Sequence, residues 1–488
     1  MTPINIVWFK RDLRLSDHQP LKNALQSQQP TLLIYLFEPS LISDPHYSTR
    51  HWRFISQSLA HMNQQLACYG TQVFSFQSEV LNFFKHLLTV LQKQSFTIDC
   101  IYSHEEIGLD TTFQRDLSVA RWCQENHINW QESSNGAVIR GASNRENWDK
   151  HWKKVMKSPL AQPDFTQARW FDGSLPTTFR LEEAWLDNNP QFQKGGELSA
   201  HHVLEDFFEE RGQYYSGSLS SPSKSRIGCS RLSPYLAWGN LSVRQVYQKL
   251  LQHWTQPGWR RSLSALSSRL HWHCHFIQKF ESESDIEFRP MNAAYNDYPY
   301  VKGQQEQNNF EAWAAGRTGF PLIDACVRCL QHTGYINFRM RAMLVSFACH
   351  HLNLDWRLIA KPLAQWFLDF EPGIHYPQIQ MQAGITGINT IRIYNPIKQA
   401  QDHDSEGDFV RQWVPEMAAF PKNYWYEPWK MPPLERQMVF DETQNMYPEP
   451  IINLKIAAKE ARDRLWGWRK NPEVAVESQR ILARHVRQ

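Results

Sequence analysis

The feature that most constrains this chain is a change in the period of its apolar residues. Up to about residue 132, short apolar or β-branched runs recur at 4–8 (INIVW), 31–37 (TLLIYLF), 71–76 (TQVFSF), 98–103 (IDCIYS) and 128–132 (INWQE), with helical spacing between several of them. Runs this short and continuous suit strands covered on both faces, and parallel strands need helical crossovers. The alternation predicts an α/β domain with a doubly wound parallel sheet. Residues 50–69 read as one crossover helix stopped at Gly70, and Ser78 is the expected N-cap of another over 79–94. Beyond residue 200 the period turns helical at 201–214, 233–253, 260–280, 309–333, 335–351 and 356–369, which predicts an all-α domain.

From about residue 143 to 200 the chain is rich in Trp, Pro and Asn without a period, the signature of a connector. A chain of 488 residues also exceeds what one core usually serves. The expected organisation is an α/β domain over 1–135, a connector over 136–200 and a helical domain over 201–488. The basic tail 453–488, with Trp466 and Trp468, reads as a solvated surface helix.

Charge excludes one class of partner and leaves another open. Lys+Arg (52) nearly balance Asp+Glu (49), so the chain is no histone-like polycation, although a local basic face remains compatible with +3 net charge. The eight cysteines are scattered, no secretory leader pattern opens the chain, and no apolar stretch is long enough for a bilayer. A cytoplasmic protein, with no membrane partner and acting as a monomer, is expected. Twenty tryptophans suit a large core, or pockets that stack on rings.

No GxGxxG follows the first strand and no GxxxxGK[ST] occurs, so the usual phosphate loops are missing. The segment GCSRLSPYLAWGNLSVRQ (228–245) instead places small hydroxyl residues and backbone donors before a helix start marked by Ser233 and Pro234. Such a start attracts an anion such as a pyrophosphate, or is simply a capped helix.

With this segment the chain resembles the photolyase/cryptochrome family, whose flavin-phosphate segment reads much like GTSRLSPYLA. Gly228, Ser230, Arg231, Leu232 and Ser233 match it, and Cys229 stands in place of Thr. IVWFKRDLRLSDHQPL (6–21), FEAWAAGRTGFPLIDACVRCL (310–330), RIYNPIKQ (392–399) and DSEGDFVRQWVPEM (404–417) extend the likeness over most of the chain. The resemblance implies FAD, bent into a U, in the helical domain. Cys229, Ser230, Arg231, Leu232 and Ser233 would lie along its phosphates, with Tyr215, or its neighbour Tyr214, upstream. Arg341 and Asp369 match an ion pair beside the flavin ring, with Glu371 and His375 close by. Trp272 falls where family photolyases place an aromatic wall for a flipped pyrimidine dimer. Arg226, Arg269, Lys398 and Gln399, with Lys224 and Arg231, are candidates for contact with damaged DNA, double or single stranded.

Departures from the pattern bear on function. Arg269 replaces the Glu that bonds the dimer in cyclobutane dimer photolyases, which reverses the charge there. His375 stands opposite flavin N5, where the family has Asn or Asp; an imidazole titrating near neutrality would be a proton donor, and the other reading is a histidine that satisfies a hydrogen bond in a crowded turn. Of the family's tryptophan chain for photoreduction only the middle member matches, at Trp356, because Ile379 and Gly303 occupy the inner and outer positions. Tyr376, Tyr394, Trp366 and Trp313 are alternative stations or packing residues. EEIGLDTT (105–112) lacks the Asn-Glu pair of folate-binding relatives, so a second antenna chromophore is expected only as an unidentified one. His271, His273, Cys274 and His275, and the Cys326/Cys329 pair, offer metal-ligand chemistry, but CxxC inside an amphipathic helix reads as buried small residues, and no metal is expected. The expected activity is light-driven repair of pyrimidine dimers by reduced FAD, a DNA photolyase; the competing reading is a cryptochrome photoreceptor without repair.

Overall fold

The computed structural model describes residues 1–439 and 447–486. Five parallel strands, β1 (Thr2–Phe9), β2 (Thr31–Phe37), β3 (Val73–Gln77), β4 (Phe96–His104) and β5 (Asn129–Ser133), form one sheet in the order β3-β2-β1-β4-β5. In register, Val7 pairs with Leu33 on one side and Tyr102 on the other. Period-two alternation then sorts the strand residues. Ile4, Ile6 and Trp8 face a closed core with Phe83, Phe84, Leu87 and Trp122 from the helices Val80–Lys93 and Asp110–Glu125. Val7 and Phe9 face the opposite way, into a core that runs on through the helix Thr49–Leu66 into the helical domain. One apolar interior thus joins the two halves.

The joint is made by the loop after β1. Leu13 N–H donates to Trp238 O at 3.2 Å, Arg14 Nη1 to Gly239 O at 3.0 Å, and Asn240 Nδ2 to Leu13 O at 2.7 Å. Leu15 N–H donates to Glu197 Oε2 at 2.8 Å, and Arg244 closes an ion pair on Asp17. Arg11 donates to Phe370 O and lies 3.5 Å from Glu371. The KRDLRLSDH stretch therefore bolts the sheet onto the helices.

Several expected elements change where tertiary contact intervenes. The helix expected over 233–253 is cut into Ser233–Ala237 and Val243–Gln252 at Gly239, whose φ of +73 lets the Arg11–Asp12 backbone approach. The helix expected over 309–333 is cut into Gln304–Ala314 and Pro321–Thr333, with Gly316 and Gly319 at positive φ between them. Ser78 does not cap its helix; Glu79 holds the N-cap position. The carboxyl-terminal pair of helices, Leu454–Arg469 and Pro472–His485, is not merely a solvated surface. Ala461, Leu465 and Ile481 are buried, and Arg469 donates to the carbonyls of Gly387 and Asn389. No described helix is long and apolar enough to cross a membrane.

Candidate functional site

The site is built on three helices and the turns that begin them. Asn337 caps Phe338–Ser346 by accepting from Met340 N–H, which presents Arg341 one turn in. Asp369 lies in the turn between Trp356–Trp366 and Pro372–Gln382. Arg341 Nη2 meets Asp369 Oδ2 at 2.6 Å, with the guanidinium 3.8 Å over the Phe367 ring. Asp369 is nearly buried, yet its Oδ1 has no hydrogen-bond partner among the described residues. His273, on the long helix Arg260–Ser282, lies within electrostatic reach of Asp369 and also leaves a buried nitrogen, Nδ1, unpaired. Unpaired buried acceptors are costly, and a ring carrying N–H and carbonyl groups on its edge satisfies them. The residues present therefore fit a flavin ring.

His375 sits in the first turn of Pro372–Gln382 and feels both Arg341 and Asp369. Its Nε2–H donates to Ala360 O at 2.8 Å, and burial above all pushes its pKa down to about 3. With the ring held neutral by burial its free nitrogen is an acceptor, which fits the hydrogen-bonding reading of His375 better than a proton donor titrating near neutrality. Glu371 is set apart from the Arg341–Asp369 pair. It pairs with Arg11 and caps the same helix by accepting from Gly373 N–H at 3.4 Å.

The expected phosphate segment is held from beneath. Arg211 donates to Cys229 O and Ser230 O, while Arg231 stacks 3.6 Å over the Tyr335 ring and bonds Gln193 Oε1 at 2.9 Å. Arg231 adopts φ +59 and Leu232 φ −89, and such a reversal of hand turns successive N–H groups to one side. The helix that follows, beginning at Ser233, is a single turn, so backbone N–H groups rather than a long helix dipole carry the anion-binding capacity. Of the two tyrosines weighed, Tyr215 is buried and Tyr214 is 65 % exposed. Tyr215, Cys229 and Arg269 lie within electrostatic reach of one another, and burial pushes the Cys229 thiol up to about 11.

Trp272 stands 49 % exposed on Arg260–Ser282, with Arg269 exposed one turn earlier and His273 on the inner side. Lys398 is exposed on the helix Pro396–His403, and Gln399 accepts from Arg339, two residues from Arg341. Arg226 does not join them. Its Nη1 turns inward to Cys329 Sγ (3.4 Å) and Thr333 Oγ1 (3.3 Å). Trp356 is fully buried. Trp313 and Trp366 touch each other at 5.6 Å, Tyr394 is half-buried, and Gly303 precedes the helix Gln304–Ala314.

Sequence reasoning missed His273, Tyr335 and Gln193 as parts of this site. The four-residue step from Arg269 to His273 was the available signal for the first. Tyr335 and Gln193 meet Arg231 only through folding and carry no motif. Cys326 and Cys329 are buried packing residues. Among the described residues, the group of side chains that comes close enough to hold an ion is Asp12, His18 and His104. There Asp12 Oδ2 already accepts from His18 at 2.9 Å and His104 at 2.7 Å.

Two family models match the chain. The model described as DNA photolyase covers residues 5–155, and that described as the FAD binding domain of DNA photolyase covers residues 265–467. A deoxyribodipyrimidine photo-lyase of Vibrio cholerae is 27% identical, spanning 88% of this chain and 94% of that protein. A cryptochrome DASH of Gloeobacter violaceus is 26% identical over 93% of this chain and 95% of its own. The crystal structure of a class III photolyase from Agrobacterium tumefaciens superposes with TM-score 0.82 at 22% identity, over 96% of this chain and 98% of that one, and so shares the fold. With a photolyase-type sheet domain, a helical domain of the FAD-binding type and relatives of both kinds, the chain belongs to the photolyase/cryptochrome family and carries FAD as its cofactor.

Proposed function

We propose that this protein uses light to split pyrimidine dimers in DNA, as a photolyase. The observation that carries the reading is Trp272: a tryptophan 49 % exposed beside Arg269, on the helix whose inner side supplies His273 to the flavin residues. Large exposed aromatics are seldom left without a partner, and this one offers a stacking face to a base flipped out of the duplex. Arg269 and Lys398, both exposed, are free to meet phosphates. Reduced FAD, when bound, supplies the electron that opens the dimer and takes it back. Asp369 and His273, with unpaired Oδ1 and Nδ1, would hold the flavin, Arg341 would favour negative charge on it, and neutral His375 would accept a hydrogen bond without adding positive charge. Ser230 to Ser233 would anchor the phosphates through backbone N–H groups.

We also propose that a second chromophore binds at the carboxyl ends of β1 and β2, among Trp8, Lys10, Glu38, Arg115 and Trp238. The competing reading, a photoreceptor without repair, is favoured by Arg269, which removes the carboxylate that bonds a cyclobutane dimer. The experiment is to illuminate the reduced flavoprotein with oligonucleotides carrying cyclobutane or (6-4) lesions, single and double stranded. Light-dependent loss of either lesion supports repair. Unchanged lesion content throughout overturns it in favour of the photoreceptor.

A further inference from the structure

One buried tyrosine behind the flavin residues is wired for proton movement. Tyr376 follows His375 on the helix Pro372–Gln382, and its hydroxyl lies 2.5 Å from His46 Nε2. His46 Nδ1 lies 2.5 Å from Asp44 Oδ1, which also accepts from the His46 backbone N–H at 2.8 Å. Burial opposes the ionisation of Asp44, but the hydrogen bonds from His46 outweigh it and hold the carboxyl below its usual range. A carboxylate can only accept, so Nδ1 carries an imidazole proton; in the neutral tautomer that this selects, Nε2 carries the lone pair and accepts from the Tyr376 hydroxyl. Burial first, then the nearby Glu287 and Asp44, push the Tyr376 phenol up, so the tyrosine is protonated at rest.

The ring of this tyrosine is also placed for electron movement. Tyr376 stands 5.4 Å from the His375 ring and 6.3 Å, edge to face, from Trp356. His46 stacks 5.6 Å from Phe370, the neighbour of Asp369. Ile379 lies one turn beyond Tyr376 on the same face of the helix and offers no oxidisable ring.

We propose that Tyr376 is a redox-active residue whose oxidation is coupled to proton transfer along a Tyr376–His46–Asp44 relay. One electron leaves the Tyr376 ring for a light-excited oxidised flavin, either directly or by way of the Trp356 radical cation. The O–H bond breaks, and the proton moves to His46 Nε2. The products are a neutral tyrosyl radical and an imidazolium paired with the Asp44 carboxylate. When the electron returns, the proton goes back to the phenol oxygen. His46 and Asp44 are positioning residues: they make oxidation feasible because an unassisted buried phenol would have to hold a positive charge. The inference rests on FAD in this domain and not on repair.

The test uses flash illumination of the flavin-loaded protein with its flavin oxidised, followed by transient absorption and electron paramagnetic resonance. The expected result is a neutral tyrosyl radical, absent in Tyr376→Phe, that forms more slowly in heavy water. His46→Gln and Asp44→Asn should each slow its formation about tenfold or more, the counterpart of roughly 1.4 kcal/mol on the barrier. Oxidation of the same proteins by azide radical under pulse radiolysis gives a readout that needs no flavin, with the radical settling on Tyr376 in the parent alone. Lesion repair is scored separately, so loss of repair with an intact radical signal sinks only the photolyase reading. Radicals confined to tryptophan, a tyrosyl signal that survives Tyr376→Phe, or equal rates in the relay variants would overturn the proposal.

Discussion

Gly239 and Gly70 share a backbone conformation and differ in surroundings, which makes them a matched pair of probes. Their φ values are +73 and +72. A Cβ on Gly70 meets nothing within 4 Å, whereas one on Gly239 would lie 2.2 Å from the Arg11 carbonyl oxygen and 2.4 Å from Asp12 Cα. Gly70→Ala therefore carries left-handed strain alone, about 1 kcal/mol. Gly239→Ala carries the same strain and forces the loop after β1 away, an overpacking cost of about 1–3 kcal/mol. That movement loosens the bonds from Leu13 N–H to Trp238 O and from Arg14 to Gly239 O, and one buried group left unpaired adds about 1–3 kcal/mol. The expected losses are about 3–7 kcal/mol for Gly239→Ala against about 1 for Gly70→Ala. Equilibrium urea unfolding, followed by tryptophan fluorescence, measures both against the parent. Equal losses in the two variants would refute the argument that the Arg11–Asp12 backbone requires a glycine opposite it.

Two further outcomes follow from the site and its surroundings. Burial is the chief cause that pushes His51, His104 and His375 down to about 3, so each binds its proton more weakly folded than unfolded, where the pKa is about 6.5. Their contribution is complete above about pH 6.5 and is lost as pH falls toward 3, by up to about 1.4 kcal/mol per unit each. Glu38 and Asp324, raised by burial to about 7 and about 6, act in the opposite sense and cease to oppose once pH passes below their unfolded values, about 4.5 and lower. Thermal midpoints should fall below pH 6.5 and fall more steeply below about 4.5; a midpoint flat from pH 7 to 4 contradicts this. Trp272→Ala should weaken binding to lesion-bearing oligonucleotide about tenfold or more, because a stacked base contributes about 1–3 kcal/mol. FAD content should be unchanged, and equal affinity in parent and variant would remove Trp272 from the DNA face.

Local pattern decided the sheet. All five strands lie on the short runs picked out in the sequence: β1 and β2, inside the sheet, are almost continuously apolar because both their faces are covered, whereas the edge strand β5 (NWQES) is partly exposed and carries polar residues. The helix ending at Gly70 was equally legible, since a left-handed stop with no neighbours depends on nothing remote. The Arg341–Asp369 pairing came from resemblance, and the structure adds its geometry. What the sequence could not decide is what depends on two distant segments meeting. The break at Gly239 exists because Arg11 and Asp12 arrive there from the other end of the chain. Arg226 looks like any exposed basic residue until Cys329 and Thr333 take its guanidinium. His375 reads as a proton donor titrating near neutrality until the Ala360 carbonyl and a dry surrounding fix its proton. Tyr376 reads as packing until His46, 330 residues earlier, supplies an acceptor for its hydroxyl. Apolar period is written along the chain one turn at a time, but desolvation and hydrogen-bond partners are properties of the packed whole.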